Sequence, residues 1–175
     1  MHRRDVYDLF YDRTRYPCCV YYAFEDPRRL SAFTLWCESP HVEYVLDGTS
    51  MISLQTALTT LAVACQFPHP EFYHQITPDG AMDRMSDLDG SVDGRPGHQL
   101  VFFYQNPLPL YRANVADFVM FIDILFEGML RLFKWHPATN PALFIAPVST
   151  AMYGTCMTLR SALCSTLIQT EPRRR

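Results

Sequence analysis

The sequence predicts an α+β fold: a mainly antiparallel sheet packed by three or four helices, in a single domain over residues 1–175. Three observations lead to this prediction. Segments rich in β-branched and aromatic residues alternate with segments that carry helical apolar stripes. The first two β-rich segments are close neighbours, as in a hairpin. Apolar residues make up 49% of the chain and charged residues 19%, a balance typical of one domain with its own core.

The first part of the chain contains a short predicted helix at about residues 6–10 and three predicted strands. Cys18–Phe24 and Ser31–Glu38 are β-branched and aromatic, and the short connection between them predicts a hairpin. His41–Gly48 alternates between apolar and polar residues, which predicts a third strand that ends in a turn.

The next segment predicts a helix that begins near Thr49 or Ser50, since both residues are good N-caps. Its apolar residues repeat at steps of three and four, as on one face of a helix; they are Met51, Leu54, Leu58, Leu61 and Cys65. After the prolines that follow this helix, the sequence predicts a flexible acidic loop at about 78–97.

The second half contains the clearest strand and the strongest helix. His98–Gln105 predicts a strand and Ala113–Lys134 a helix of about six turns. Ala142–Pro147 predicts a short strand and Val148–Gln169 a closing helix, followed by a basic tail at 171–175.

The aspartates of the acidic loop suggest a calcium site, but their spacing is incomplete. With Gly94 at position 6 of an EF-hand loop, Asp89, Ser91 and Asp93 occupy the first three ligand positions. Position 12 is then Leu100, which has no side-chain oxygen for the required bidentate ligand. We therefore interpret the segment as a solvated loop.

Motifs for catalysis are missing from the sequence. Outside the acidic loop the only glycines are Gly48, Gly128 and Gly154, so no glycine-rich turn can bring backbone amides against a phosphate. We predict that the protein is not an enzyme. A cysteine-dependent hydrolase stays open as an alternative, because a nucleophilic cysteine and its histidine meet only in the fold.

Two short motifs have a spacing that suits zinc. "CESPH" and "CQFPH" both place a histidine four residues after a cysteine, at Cys37 and His41 and at Cys65 and His69. Thiolate and imidazole bind zinc tetrahedrally, and each motif could supply two ligands. Cys65 also completes the apolar stripe of its helix, which favours a core position. We predict no cofactor, with structural zinc as the alternative.

The helix at 113–134 is apolar around most of its circumference. Its charged residues form one narrow stripe, made of Asp123, Glu127, Arg131 and Lys134. The apolar arc is about twice the roughly 100° of an ordinary surface helix. Either the helix lies at the centre of the domain, or one flank binds another molecule. The flank that we predict to bind a partner consists of Phe121, Ile124, Leu125 and Leu132.

These features favour a non-enzymatic protein–protein interaction or regulatory (adaptor) domain. The expected partner is another protein or a second copy of the chain, because two long segments are nearly free of charge. The net charge of −3 argues against a nucleic-acid partner, and no segment suits a membrane span. Six cysteines without a signal peptide predict an intracellular location, in cytoplasm or nucleus. The arginine-rich composition suggests a viral accessory protein.

Overall fold

The structure is a computed structural model that describes residues 19–23, 41–88, 99–137, 139–149, 151–152, 155 and 165–168. Its described strands form one five-stranded sheet in the order β2-β3-β4-β1-β5. The strands are β1 (Cys19–Ala23), β2 (His41–Asp47), β3 (Gln99–Gln105), β4 (Asn140–Ala146) and β5 (Ser165–Ile168).

Each of the four pairings between the described strands is parallel, so the predicted mainly antiparallel sheet is wrong. The hairpin prediction fails for a geometric reason. β1 lies between β4 and β5, so both of its edges are already paired. The second strand of the predicted hairpin, Ser31–Glu38, lies outside the described residues.

The central strands are buried on both faces, which is typical of a parallel sheet. On β3, Leu100, Phe102 and Tyr104 join the core beneath the helices, whereas Val101 and Phe103 are buried on the opposite face. Neighbouring rings stack across the register: the ring centroids lie 5.2 Å apart for Tyr44 and Phe102, and also for Phe103 and Phe144.

Four α-helices have complete boundaries in the described part of the chain: α1 (Leu54–Ala64), α2 (Pro78–Ser86), α3 (Leu108–Ala113) and α4 (Val115–Trp135). A 3-10 turn at Gly48–Ser50 occupies the predicted start of α1, and Ser53 is the actual N-cap. Ser53 forms a capping box with Thr56, which satisfies amides of the first turn.

The helix α2 lies in the first half of the segment that the sequence predicted as a flexible loop. Thr77 caps it, and its first residue is Pro78, whose missing amide costs nothing at that position. The Asp79 carboxylate in the first turn stabilises the helix by its attraction to the positive end of the helix dipole. The loop prediction therefore does not hold for 78–86, and residues 89–98 lie outside the described part.

Helix α4 packs at the centre of the core. Asn114 caps it, and Phe118, Ile122 and Met129 are among its buried residues. α2 crosses it closely at Gly128, where a Cβ atom would lie 2.5 Å from Met85 Sδ. Only glycine permits this approach, and the close packing of α2 on α4 follows from it.

The end of the chain also differs from the predicted closing helix at 148–169. Residues 151, 152 and 155 are helical, but Ser165–Ile168 is β5. This strand pairs in parallel with β1, from Val20 opposite Ser165 to Ala23 opposite Ile168. The basic tail at 171–175 lies outside the described residues. Within the described residues, no helix is both long enough and apolar enough to span a membrane.

Candidate binding site at the carboxyl edge of the sheet

The flank predicted to bind a partner lies in the core. Phe121, Leu125 and Leu132 are 0% exposed and Ile124 is 3% exposed. Of the two interpretations of the wide apolar arc, the structure supports the first, in which α4 is central to the domain. A partner could not contact these side chains without opening the fold.

The predicted zinc ligands are only partly described. Cys37 lies outside the described residues, His41 is half-buried at the start of β2, and His69 is exposed. Among the described residues, no group of three or more metal-ligating side chains comes together. Cys65 is a buried free thiol, and burial raises its pKa well above the ordinary range. A thiol in that state is a poor zinc ligand and a poor nucleophile. Because Cys37 lies outside the described residues, the zinc site of Cys37, His41, Cys65 and His69 stays a prediction.

A crevice opens where β2, β3 and β4 end. We call it the carboxyl-edge crevice; its volume is about 520 Å³, within the range of small-molecule sites. Open parallel sheets bind ligands at this edge, because the strand ends and the connections after them leave a cleft there. Its described lining residues are Thr49, Asn106, Leu108, Pro109, Pro147, Val148, Ser149 and Met152.

A hydrogen-bond network holds the polar wall of the crevice. Asp47 Oδ1 accepts hydrogen bonds from the Thr49 amide at 3.0 Å, from Thr49 Oγ1 at 2.6 Å and from Asn106 Nδ2 at 3.2 Å. These bonds lower the pKa of Asp47, with the Thr49 hydroxyl as the largest cause. Asp47 is therefore a carboxylate at neutral pH, and it fixes two residues that line the crevice.

The backbone at this edge is also closely constrained. Asn106 has φ of 51°, a left-handed conformation that asparagine tolerates better than most residues. Its amide donates to the Ala146 carbonyl at 3.2 Å, which ties the end of β3 to that of β4. A Cβ atom on Gly48 would lie 2.4 Å from the Asn106 carbonyl oxygen. Glycine at 48 thus allows the turn after β2 to pack against the turn after β3.

The chemistry of the crevice is neutral and mainly apolar. Of its eight described lining residues, five are Leu, Pro, Val or Met, and the other three are Thr, Asn and Ser. None of these side chains titrates near neutral pH. Such a wall suits an uncharged ligand with an apolar body and a few hydrogen-bonding groups.

Sequence reasoning did not find this site. Its residues follow three different strands, and only the parallel order of those strands brings them to one edge. A usable signal was present, however. Polar or turn-forming residues stand at or directly after the end of each of the three strands: "DGT" at 47–49, "QN" at 105–106 and "PVS" at 147–149.

The fold and the crevice together define an open parallel α/β domain with a ligand-sized cleft at its carboxyl edge. No protein-family model matches the chain, and no curated protein sequence matches it.

Among solved structures, the chain is similar to a chain in the structure of Drosophila ORC bound to poly(dA/dT) DNA and Cdc6 (conformation 1), with a TM-score of 0.47 and 17% identity. It is also similar to a chain of Drosophila ORC bound to DNA, with a TM-score of 0.46 and 18% identity. The matches cover 97% of this chain in both cases, but only 30% and 29% of the longer chains. Similarity at this level does not carry the function of those complexes to this chain.

The predicted partner differs from what these structures contain. The sequence predicted another protein or self-association as the partner and predicted no nucleic acid, whereas these similar structures are complexes with DNA. That partner prediction is therefore not carried further.

Proposed function

We propose that the chain is a non-enzymatic binding domain with a regulatory role, and that it binds a small uncharged ligand in the carboxyl-edge crevice. The observation that carries this proposal is the chemistry of the lining. An open crevice of about 520 Å³ is lined by apolar side chains and three neutral polar ones among its described residues. The proposal retains the regulatory class predicted from the sequence and moves the binding surface from α4 to the crevice.

Binding without catalysis is supported by the groups nearest the crevice. General acid–base catalysis needs a group that exchanges a proton near the working pH. Asp47 is the nearest described carboxylate, and its three hydrogen bonds lower its pKa and so hold it ionised. The Thr49 hydroxyl donates to Asp47 Oδ1 at 2.6 Å, but the lowered pKa of Asp47 makes this carboxylate a weak base. The Ser149 hydroxyl has no acceptor among the described residues that could take its proton.

An intracellular location in cytoplasm or nucleus is part of the proposal. Cys65 is a free thiol, and free thiols persist in reducing compartments.

The test uses methyl benzoate as a neutral probe with an apolar body, and benzoate as its anionic counterpart. Two-dimensional amide NMR of the full chain reports which residues each probe affects. We expect methyl benzoate to bind with Kd on the order of 1 mM, as a fragment of this size does. The amide signals of Thr49, Asn106 and Val148 should shift. Benzoate should bind more weakly, because the Asp47 carboxylate lies beside the crevice.

A pair of tryptophan substitutions locates the binding. Leu108→Trp adds volume to the crevice wall and should abolish the shifts, since Leu108 is a lining residue. Val63→Trp is the matched control, because Val63 is 59% exposed on α1 and does not line the crevice. Shifts that survive Leu108→Trp, or that map away from the three strand ends, would overturn the proposal.

A further inference from the structure

The hydrogen bonds at the carboxyl-edge crevice leave a specific set of groups for a ligand. Asn106 Nδ2 carries two hydrogens, and it donates to Asp47 Oδ1 and to Thr49 Oγ1, each at 3.2 Å. Thr49 Oγ1 in turn donates to Asp47 Oδ1 at 2.6 Å. The donors of Asn106 and Thr49 are therefore used within the wall.

The orientation of the Asn106 amide is decided by its neighbour. Asparagine nitrogen and oxygen are assigned from the hydrogen-bond network around them. An ionised carboxylate only accepts hydrogen bonds, so Asp47 requires the nitrogen of Asn106 to face it. The network does not use the Asn106 Oδ1 atom, which accepts no hydrogen bond from the described residues. Asp47 acts as a positioning residue for this acceptor.

Ser149 supplies the complementary group. Its Oγ accepts a hydrogen bond from the Met152 amide at 3.2 Å, which fixes the oxygen. The hydroxyl hydrogen has no acceptor among the described residues and can be donated. The lining thus includes one acceptor, on Asn106, and one donor, on Ser149, together with the apolar side chains of Leu108, Val148 and Met152.

We infer that the crevice recognises a neutral carboxamide group carried on an apolar body, with the ligand N–H donating to Asn106 Oδ1 and its carbonyl accepting from Ser149 Oγ. This inference rests on the proposed function, since it names the ligand class of the same crevice. An ester has the carbonyl but no N–H, and a carboxylate has no N–H and carries a charge. The amide is the group that uses both the acceptor and the donor.

The experiment compares benzamide with methyl benzoate by the same NMR titration. We expect benzamide to bind about tenfold more tightly, the effect of one additional hydrogen bond that is well formed. Equal binding of both probes in the crevice would overturn the carboxamide inference and leave the proposed function standing. If neither benzamide nor methyl benzoate binds, both the carboxamide inference and the proposed function are overturned.

Two variants test the roles of the named residues. Asn106→Gly retains the left-handed backbone, which glycine adopts without strain, and removes the acceptor; the tenfold preference for benzamide should disappear. Asp47→Asn removes the carboxylate that orients the amide, so the preference should fall while Asn106 is still present. A preference that is unchanged in both variants would overturn the assignment.

The matched control for the glycine substitution is Gln66→Gly. Gln66 has φ of 52°, nearly that of Asn106, and lies outside the lining. The benzamide preference should be the same in Gln66→Gly as in the original chain.

The carboxamide group occurs both in small molecules and along peptides. A titration with N-acetyl-leucine methylamide separates these sources, because this probe carries the same group on a peptide backbone. Binding at least as tight as that of benzamide would identify a peptide as the source, and weaker binding would identify a small-molecule amide. Either result with crevice shifts supports the inference, and shifts elsewhere for both probes would overturn it.

Discussion

The buried flank of α4 and the carboxyl-edge crevice are both apolar, but the fold treats them differently. Phe121, Leu125 and Leu132 on the flank are fully buried, and α2 packs so closely on α4 that Gly128 has no room for a side chain. The crevice keeps about 520 Å³ open between apolar side chains. The difference teaches that apolar character alone does not mark a binding surface. Open volume beside unpaired polar groups is the better indicator.

The largest expected effect comes from placing a charge on the buried flank of α4. Leu125→Lys buries an ammonium group without a partner, and we expect the free energy of unfolding to fall by about 4 kcal/mol or more. Urea denaturation followed by circular dichroism measures this loss. Met120→Lys is the matched control, because Met120 lies on the same helix and is 48% exposed; it should change stability by less than about 1 kcal/mol. Equal losses in both variants would mean that the flank is not the core.

A smaller effect is expected where α2 crosses α4. Gly128→Ala should gain helix propensity worth about 1 kcal/mol, but the new methyl group would meet Met85 Sδ at 2.5 Å. We expect the clash to prevail, with a net loss of about 1–3 kcal/mol in the free energy of unfolding. Thermal and urea unfolding measure the loss.

The double variant Gly128→Ala with Met85→Ala separates the clash from other causes. Met85→Ala alone should destabilise the protein, because Met85 is fully buried. In the Met85→Ala background, Gly128→Ala should no longer lower the free energy of unfolding. Additive losses would show that Met85 is not the cause.

The smallest effect is expected at the crevice, and it depends on pH. The pKa of Asp47 is lowered in the folded protein by its bonds to Thr49 and Asn106. Its contribution is therefore present above the unfolded-state pKa of about 3.9 and is lost as the pH falls through the lower folded-state pKa. Asp47→Asn should be less stable than the original chain near neutral pH, and the difference should shrink below about pH 4.

The measurement is thermal unfolding of both chains from acidic to neutral pH. A difference that stays constant over this range would assign the effect of Asp47→Asn to packing and not to the charge of the carboxylate.

Several elements could be predicted from the sequence because their signals are local. The strands at β1, β2, β3 and β4 and the long helix α4 are confirmed close to their predicted boundaries. β-branched and aromatic runs and a helical stripe act within one segment, so the segment itself carries the information. The direction in which two strands pair, by contrast, depends on segments that are far apart in the sequence. β3 reads "QLVFFYQ" and β4 "NPALFIA", nearly continuous apolar runs of the kind that parallel sheets require, whereas the prediction relied on the nearness of two earlier segments.

The crevice could not be predicted for the same reason. Asp47, Asn106 and Ser149 are separated by more than forty residues at each step, and the parallel register alone brings the three strand ends together. The flank predicted to bind a partner is a different case, because its residues are buried. Its residues were identified as an unusually wide apolar arc, but a wheel cannot tell a helix at the centre of a domain from one with a binding face. Only the packing of α2 and the sheet on α4 decides between them.

The position of β1 has a consequence for how the chain acquires its structure. β1 is the first described strand in sequence, yet its neighbours are β4 and β5, which come more than a hundred residues later. During synthesis, β2 and β3 can pair as soon as residue 105 has left the ribosome, while β1 waits for both of its partners. Contacts of such long sequence separation slow folding. A nascent chain that has reached α4 therefore carries an unpaired apolar strand. We expect folding to depend most on chaperones at that stage.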